Sequence, residues 1–107
     1  MYNKYGNKRT QYNGRWYASK KEAEHAATLD MQRLATDSSQ KVVGVIPQYR
    51  IPLEIKGIKI GTYVADFLVS FADGHQEIQD VKGMRTTIYK LKKKIFEAQY
   101  GEKIIEY

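Results

Sequence analysis

Two aspartates and a lysine in one predicted β-hairpin are the residues of this sequence best suited to chemistry. Asp66 interrupts a run of apolar, strand-forming residues, and a second run ends at Asp80, Val81 and Lys82. A carboxylate in an apolar strand is costly unless it is paired, and carboxylates that face each other destabilise a hairpin. A divalent cation between Asp66 and Asp80 would reverse that penalty, since Mg²⁺ prefers oxygen ligands. Lys82 beside such a cation would stabilise negative charge developing on a phosphate ester.

The register of this hairpin decides whether the three residues share a face. Residues 72–74, Ala-Asp-Gly, suit a three-residue loop in which a type I turn is closed by a left-handed glycine. With that loop Asp66 faces Asp80, and Lys82 lies on the same face as Asp80, about 7 Å further along. A two-residue turn would instead place Asp66 opposite Val81 and divide the three residues between faces. The proposed chemistry therefore depends on an odd-numbered loop.

The first third of the chain predicts a hairpin followed by a helix. Asn13-Gly14 is a strong turn signal, across which Lys8–Tyr12 and Arg15–Tyr17 can pair. Ser19-Lys20-Lys21-Glu22 is a capping box, which predicts a helix from about Lys20 to Ala35. Small and apolar residues recur at helical spacing along it, namely Ala23, Ala26, Ala27, Met31 and Leu34.

The second half of the chain supplies the remaining strands and a second helix. Lys41–Leu53 predicts a strand pair or one bent strand, with its two prolines at edges or bulges because proline lacks an amide hydrogen. Thr87 can cap a helix from Ile88 to Tyr100, and Lys103–Tyr107 predicts a final strand. The inward stripe of this helix is expected to comprise Ile88, Leu91, Ile95, Ala98 and Gln99.

Length and composition favour one soluble domain that spans residues 1–107. The chain is too short for two cores, and the absence of cysteine excludes a disulfide framework and a thiolate metal site. It contains neither an apolar run near the ~20 residues of a membrane span nor the apolar core of a signal peptide. We therefore expect a cytoplasmic protein with no membrane partner.

The charge pattern favours a polyanionic partner. Residues 1–21 and 82–94 each hold six basic residues and no acidic one, whereas the rest of the chain holds six basic and twelve acidic residues. Two basic blocks around an acidic middle suggest that nucleic acid is bound near a carboxylate cluster. The alternative is a solvated basic surface without a ligand.

The N-terminal block, residues 1–17, mixes basic and aromatic residues and is expected to form a basic aromatic arm or hairpin. Its aromatic rings could stack on bases while Lys8, Arg9 and Arg15 contact phosphates. We nevertheless expect Trp16 to pack on the first helix. His25, further along that helix, is expected to be a surface residue.

Several of these stretches together resemble a known family. Asp66 and the later Asp80-Val81-Lys82 are similar to the PD-(D/E)XK nuclease signature, although Ala65 stands where the signature has proline. The stretches SKKEA at 19–23, DVKG at 80–83 and YKLK at 89–92 sharpen the match. Together they resemble a small phage-encoded family of unknown function that is placed among PD-(D/E)XK nucleases and is similar in layout to archaeal Holliday-junction resolvases. The resemblance covers roughly residues 4–107.

The resemblance implies a fold, a cofactor and a set of site residues. It implies an α/β restriction-endonuclease-like core, in which a central mixed sheet with a catalytic β-hairpin is flanked by two helices. Asp66, Asp80 and Glu22 would bind Mg²⁺, with Mn²⁺ as a substitute, and Lys82 would stabilise charge or act as a base. For Glu22 the alternative is a purely structural role in the helix cap. Gln48 lies where the family tends to carry glutamine; it could orient water or a ligand, or be an ordinary polar strand residue.

The second basic block supplies candidate phosphate contacts beside the first one. Lys90, Lys93 and Lys94 are expected to point away from the core, whereas Lys92 lies within the apolar arc of its helix. Lys92 could extend its ammonium group to solvent, or it could point at phosphate or the metal site. The full candidate DNA-binding set is Lys8, Arg9, Arg15, Lys20, Arg85, Lys90, Lys92, Lys93 and Lys94.

Taken together, the residues and the resemblance predict a metal-dependent DNA endonuclease, encoded by a phage or mobile element and active in the bacterial host. It would nick DNA or select branched structures in the manner of a Holliday-junction resolvase, and a homodimer could cut two strands. The alternatives are a non-catalytic nucleic-acid-binding module and a phage assembly or replication adaptor on the same fold.

Overall fold

The computed structural model describes residues 9–81 and 85–107 as a mixed α/β structure. Two of the predicted functional residues, Lys8 and Lys82, lie outside this described part. The elements in chain order are β1 (Thr10–Tyr12), β2 (Arg15–Tyr17), α1 (Lys20–Met31), a 3-10 turn (Gln32–Leu34), β3 (Val42–Ile55), β4 (Ile58–Phe71), β5 (Gln76–Asp80), α2 (Thr87–Tyr100) and β6 (Ile104–Glu106).

A mixed four-stranded sheet forms the centre of the structure. Its strand order is β3-β4-β5-β6, in which β5 and β6 run parallel and the other neighbours run antiparallel. Phe67 and Val69 pack with α1 in one apolar cluster, whereas Leu68 packs with Phe96 of α2 in a second cluster. Because side chains alternate along a strand, the two helices cover opposite faces. The predicted central mixed sheet with flanking helices is confirmed.

The turns follow the predicted local chemistry. Asn13 and Gly14 have φ of 51° and 80°, which gives the β1–β2 hairpin its two-residue turn. Between β4 and β5, the amide of Gly74 donates to the carbonyl of Phe71 at 3.0 Å, and Gly74 has a φ of 96°. The loop between β4 and β5 therefore has the three residues predicted from its sequence.

Strand β3 is one long bent strand at an edge of the sheet, rather than a strand pair. Gln48 at its middle has a left-handed φ of 54°, which is unusual for a residue other than glycine. On either side of it, Val45 packs with the α1 cluster and Tyr49 with the α2 cluster. The single left-handed residue therefore changes the face to which the alternating side chains point.

The predicted inward faces of both helices need correction. In α1, Met31 and Leu34 are 75% and 85% exposed, and Leu29 completes the buried face with Ala23 and Ala26 instead. Their periodicity misled because the α-helix ends at Met31 and the chain tightens into a 3-10 turn.

In α2, which starts one residue earlier than predicted after the Thr86 cap, Ile88 and Leu91 are exposed. Ile95 packs on the second apolar cluster as predicted, Ala98 is exposed, and Tyr89, Lys92 and Phe96 complete the face towards the sheet. The long amphipathic side chains of Tyr89 and Lys92 thus take the inward positions predicted for Ile88 and Leu91, since their stems pack while their polar ends find partners. No helix in residues 9–81 or 85–107 is both long and apolar enough to cross a membrane.

Candidate functional site

Asp66 and Asp80 hold each other's strands together at the open end of the β4–β5 hairpin. The backbone pairing of these strands ends at Phe67 and Gln79, so the next opposed positions are Asp66 and Asp80. There the backbone amide of Asp66 donates to Oδ1 of Asp80 at 2.8 Å, and the amide of Val81 donates to Oδ2 of Asp66 at 2.8 Å. The predicted register is confirmed, and carboxylate oxygens replace backbone carbonyls as acceptors where the strands separate.

The burial of these carboxylates makes their hydrogen bonds important. Asp80 is fully buried and Asp66 is half-buried. A buried carboxylate is retained only with strong hydrogen-bond donors or an opposite charge. Backbone amides orient one oxygen of each carboxylate, so this arrangement keeps these oxygens in fixed positions.

Glu22 joins β3 through an amide contact. The side chain of Ser19 accepts the Glu22 amide at 3.1 Å, which caps α1 and confirms that half of the predicted capping box. The carboxylate of Glu22 is buried, and its Oε1 accepts a hydrogen bond from Nε2 of Gln48 at 3.0 Å. Glu22 is therefore more than a cap residue, because its side chain connects the first turn of α1 to the sheet.

Gln48 and Asp66 occupy opposed positions of β3 and β4. The pairs Pro47–Phe67 and Tyr49–Ala65 flank them on either side. Gln48, Asp66 and Asp80 thus form a row across three neighbouring strands, and Glu22 contacts the first member of the row. We call Glu22, Gln48, Asp66 and Asp80 the acidic row.

His25 lies beside this row and is half-buried, which corrects the expectation that it is a surface residue. Its Nε2 is 2.7 Å from Oε1 of Gln79, while Nε2 of Gln79 donates to Glu77 at 2.8 Å. With the amide nitrogen of Gln79 engaged by Glu77, the hydrogen between His25 and Gln79 belongs to the imidazole. Rings of Phe67 and Tyr107 enclose His25 at 5.5 and 4.4 Å.

The structure does not assemble the predicted metal set into one recognisable group. Within residues 9–81 and 85–107, no three His, Cys, Asp or Glu side chains are grouped as a metal site would require. Asp66 and Asp80 are brought together, whereas the described contact of Glu22 is with Gln48. The predicted role of Lys82 lies outside the described residues.

Glu106 organises a second group of charges next to Asp80. It is the register partner of Asp80 on the neighbouring parallel strand. Its carboxylate accepts hydrogen bonds from Arg85 at 3.1 and 3.3 Å and from the Tyr89 hydroxyl at 2.7 Å, and Nζ of Lys93 lies 3.4 Å away. The Arg85 contact first, and then the Tyr89 hydroxyl, lower the pKa of Glu106 from 4.5 to about 2. We call these four residues the Glu106 cluster.

An open cleft of about 290 Å³ adjoins this cluster, and the described cations that line it are Arg85, Lys90, Lys93 and Lys94. Arg85 and Lys93 are both paired with Glu106, which corrects the expectation that Lys93 simply points away from the protein. Lys90 and Lys94 are exposed. We call this feature the basic cleft.

Two other predicted phosphate contacts have described protein partners. The half-buried Lys92 donates from Nζ to the carbonyl of Thr62 at 2.9 Å, which ties α2 to β4. Lys20 lies 3.9 Å from Glu24 on the exposed side of α1. The structure therefore gives Lys92 a packing role, while Lys20 stays at the surface.

The N-terminal hairpin reverses the expectation for its tryptophan. Trp16 is 54% exposed, and its neighbour Tyr17 is buried in the α1 cluster instead. The guanidinium of Arg9 lies 4.9 Å from the centre of the indole, and that of Arg15 lies 5.9 Å from the Tyr17 ring. Arg9 and Arg15 are thus both placed beside aromatic rings of the hairpin.

Sequence reasoning did not anticipate Gln79, His25 or Glu106 as parts of this region. His25 and Gln79 are 54 residues apart, and neither lies in a recognisable local motif. Glu106 could have been suspected, because it is the only acidic residue in the predicted last strand.

The fold and the acidic row define a small mixed α/β domain with paired aspartates where the strands of a β-hairpin separate. The chain belongs to the family described as Protein of unknown function (DUF1064), whose profile matches residues 2–106. Neither the curated proteins nor the solved structures contain a match to it.

Proposed function

We propose that the chain is a metal-dependent DNA endonuclease of the PD-(D/E)XK type, which nicks DNA or selects branched structures. The observation that carries this proposal is the reciprocal placement of Asp66 and Asp80, each with one oxygen fixed by a backbone amide across the hairpin. Fixed anionic oxygens on adjacent strands suit a hard divalent cation. The resemblance of Asp66 and Asp80-Val81-Lys82 to the nuclease signature supports the same conclusion.

The donor set fits Mg²⁺, with Mn²⁺ as a substitute. Mg²⁺ keeps several waters and is held by one or two carboxylates together with the substrate phosphate, so Asp66 and Asp80 would suffice as its main ligands. Glu22 would add a third carboxylate from α1, and Gln48 holds it in place. A bound cation would polarise the scissile phosphate and lower the pKa of a water.

The remaining roles belong to groups near the row. Lys82, two residues after Asp80 in the sequence, would stabilise negative charge on the phosphate as water adds to phosphorus and the ester P–O bond breaks. The products are a phosphate monoester and a hydroxyl group on the two strand ends. Gln48 acts as a positioning residue, since its described contact is with Glu22.

The distribution of cations supports DNA as the substrate. The basic cleft reaches Glu106, whose strand neighbour is Asp80, so phosphates bound in the cleft would lie close to the acidic row. Lys90 and Lys94 would be its exposed phosphate contacts, while Arg85 and Lys93 supply charge from their pairs with Glu106. Arg9 and Arg15 of the hairpin extend the positive surface to the other helix.

The decisive experiment compares Asp80→Asn with Asp73→Asn. Asparagine keeps an oxygen that can accept the Asp66 amide but removes the charge, and Asp73 is a matched carboxylate in the exposed turn of the same hairpin. Both proteins and the wild type are incubated with supercoiled plasmid and with a four-way junction, in Mg²⁺ and in chelator. We expect metal-dependent cleavage by the wild type and Asp73→Asn and its loss in Asp80→Asn.

The cleavage products distinguish a nickase from a junction resolvase. Nicked circles indicate cleavage of one strand, and paired symmetrical cuts in the junction indicate a homodimer acting as a resolvase. Binding of DNA without cleavage by the wild type, in Mg²⁺ or Mn²⁺, would overturn the nuclease and leave a nucleic-acid-binding module. Absence of DNA binding would favour an adaptor.

A further inference from the structure

The β1–β2 hairpin has two chemically different faces. Its register pairs Thr10 with Tyr17, Gln11 with Trp16, and Tyr12 with Arg15. Opposed residues share a face and successive pairs alternate, so Tyr12 and Tyr17 point one way while Trp16 points the other. The burial agrees, because Tyr17 is 8% exposed and Trp16 is 54% exposed.

The inward face attaches the hairpin firmly to the domain. The hydroxyl of Tyr12 donates to Oδ2 of Asp30 in α1 at 2.8 Å. The ring of Tyr17 lies 6.1 Å from that of Phe67, the residue that follows Asp66 in β4. A short two-residue turn joins the strands, so the outward face is presented on a supported element close to the acidic row.

The outward face combines an aromatic surface with positive charge. The Arg9 guanidinium lies over the Trp16 indole, which is still more than half exposed. Residues 1–21 contain six basic residues and no acidic one, a charge pattern that favours a polyanionic ligand. Nucleic acid is the polyanion whose bases also present flat π-faces, and these are accessible when the bases are unpaired.

We propose that Trp16 is a stacking platform for an unpaired nucleobase, and that Arg9 contacts the phosphate beside it. The proposal rests on the proposed function and specifies its substrate: DNA in which bases are unpaired next to the cleavage point, such as a single strand, a fork or a flap. Stacking tolerates any base, so the hairpin selects strand structure and not sequence.

Tryptophan fluorescence can test this directly, because Trp16 is the only tryptophan in the chain. The wild type is titrated in chelator, where cleavage is not needed, with three ligands of equal phosphate number. They are an oligodeoxythymidylate, a strand of abasic residues and a blunt hairpin duplex. We expect the oligodeoxythymidylate to quench the fluorescence, and the other two to bind through their phosphates with little quenching.

Variants then separate stacking from charge. Trp16→Leu should weaken binding of the oligodeoxythymidylate by about tenfold or more, the loss expected when one base–aromatic stack is removed. Its affinity for the blunt duplex should change by less than about threefold, and Trp16→Phe should restore most of the loss. Ile58→Ala serves as the control, since Ile58 is an exposed apolar residue at the β3–β4 turn. Circular dichroism checks that each variant is folded.

Two results would overturn the stacking proposal: equal quenching by the abasic strand and the oligodeoxythymidylate, or unchanged affinity of Trp16→Leu for the oligodeoxythymidylate. The outcome is independent of the nuclease test. Quenching without cleavage would leave a single-strand-binding protein and refute only the enzyme. Cleavage without quenching would refute only the stacking platform.

Discussion

Asp80 and Glu106 are neighbours on parallel strands, yet the described contacts of their carboxylates differ. Asp80 receives a backbone amide from Asp66, a donor without net charge. Glu106 is surrounded by the guanidinium of Arg85, the ammonium of Lys93 and the hydroxyl of Tyr89. A backbone amide fixes the position of a carboxylate oxygen, whereas the guanidinium and ammonium groups also neutralise the charge of Glu106.

From these contacts we expect the two groups of acidic residues in this sheet to have different roles. The Glu106 cluster joins β6 to the start of α2, so it stabilises the part of the fold that carries the basic cleft. The acidic row links α1 to β3 through the side-chain amide of Gln48, and β4 to β5 through backbone amides, so the positions of its carboxylate oxygens are fixed. We therefore expect substitutions in the row to affect activity first, and substitutions in the cluster to affect stability first.

The strongest test of this division replaces Glu22 by glutamine. The new side chain keeps an oxygen that can accept the amide of Gln48, but it removes one negative charge from the row. We expect cleavage to fall roughly a hundredfold or more, the scale on which loss of one electrostatic group acts in an active site. The melting temperature should change little.

Glu24→Gln is the matched control for that experiment, because Glu24 lies two residues away on the exposed side of the same helix. Plasmid nicking in Mg²⁺ provides the rate, and thermal unfolding provides the stability. Equal loss of activity in both variants would contradict a special role for Glu22.

Replacing Glu106 by glutamine should affect stability more than cleavage activity, the reverse of what we expect for Glu22. It removes the charge shared by Arg85 and Lys93, and we expect the free energy of unfolding at neutral pH to fall by about 1–2 kcal/mol. Glu106 has a folded pKa of about 2 against an ordinary value of 4.5. Since the pKa is depressed, its stabilisation is present above pH 4.5 and is lost as the pH falls towards 2.

Urea unfolding of both proteins at several pH values measures this effect. The difference between the wild type and Glu106→Gln should be largest near neutral pH and should shrink between about pH 4.5 and 2. Glu102→Gln, at an exposed position, should show no such trend. A difference that stays constant through this range would show that the charge of Glu106 is not what stabilises the cluster.

The local features of the fold followed from sequence, whereas contacts across long separations did not. The turns at Asn13-Gly14 and residues 72–74 depend on nearby residues only, and the second of these determines that Asp66 faces Asp80. The contact of His25 with Gln79 joins residues 54 positions apart, and it exists only once α1 has docked on the sheet. Sequence periodicity carries no information about contacts between residues so far apart in the chain.

The errors at Trp16, Ile88 and Leu91 have a common physical origin. Each is a large apolar residue that was assigned to the interior, and each is more than half exposed. A domain of this size cannot bury every large side chain, and the polar ends of Tyr89 and Lys92 reach partners that make their inward positions favourable. Of these three residues, only Trp16 matters for the proposed function, because its exposure makes the indole accessible to a nucleobase.

Two lysines on different sides of α2 allow a smaller test of which residues support folding and which support DNA binding. Lys92→Met keeps the packed stem but loses the hydrogen bond to the carbonyl of Thr62, so stability should fall by about 1 kcal/mol while DNA affinity changes little. Lys90→Met, on the exposed side, should preserve stability and lower the slope of log affinity against log salt by about 0.9. The reverse pattern would place Lys92 in the DNA contact and Lys90 outside it.

The smallest expected effect concerns Tyr63 of β4 and Tyr89 of α2, whose ring centres lie 6.3 Å apart. The hydroxyl of Tyr63 is buried and has no hydrogen-bond partner among the described residues, whereas that of Tyr89 donates to Glu106. Tyr63→Phe removes a buried hydroxyl that has no described hydrogen bond, so it should leave stability unchanged or raise it by up to about 1 kcal/mol. Tyr89→Phe leaves Glu106 without one of its donors and should lower stability by about 1 kcal/mol. Chemical unfolding measures the free energy of unfolding of both variants. A clear loss of stability in Tyr63→Phe would mean that its hydroxyl has a partner such as an ordered water. Equal stabilities for the two variants would mean that the Glu106 cluster does not depend on the Tyr89 hydroxyl.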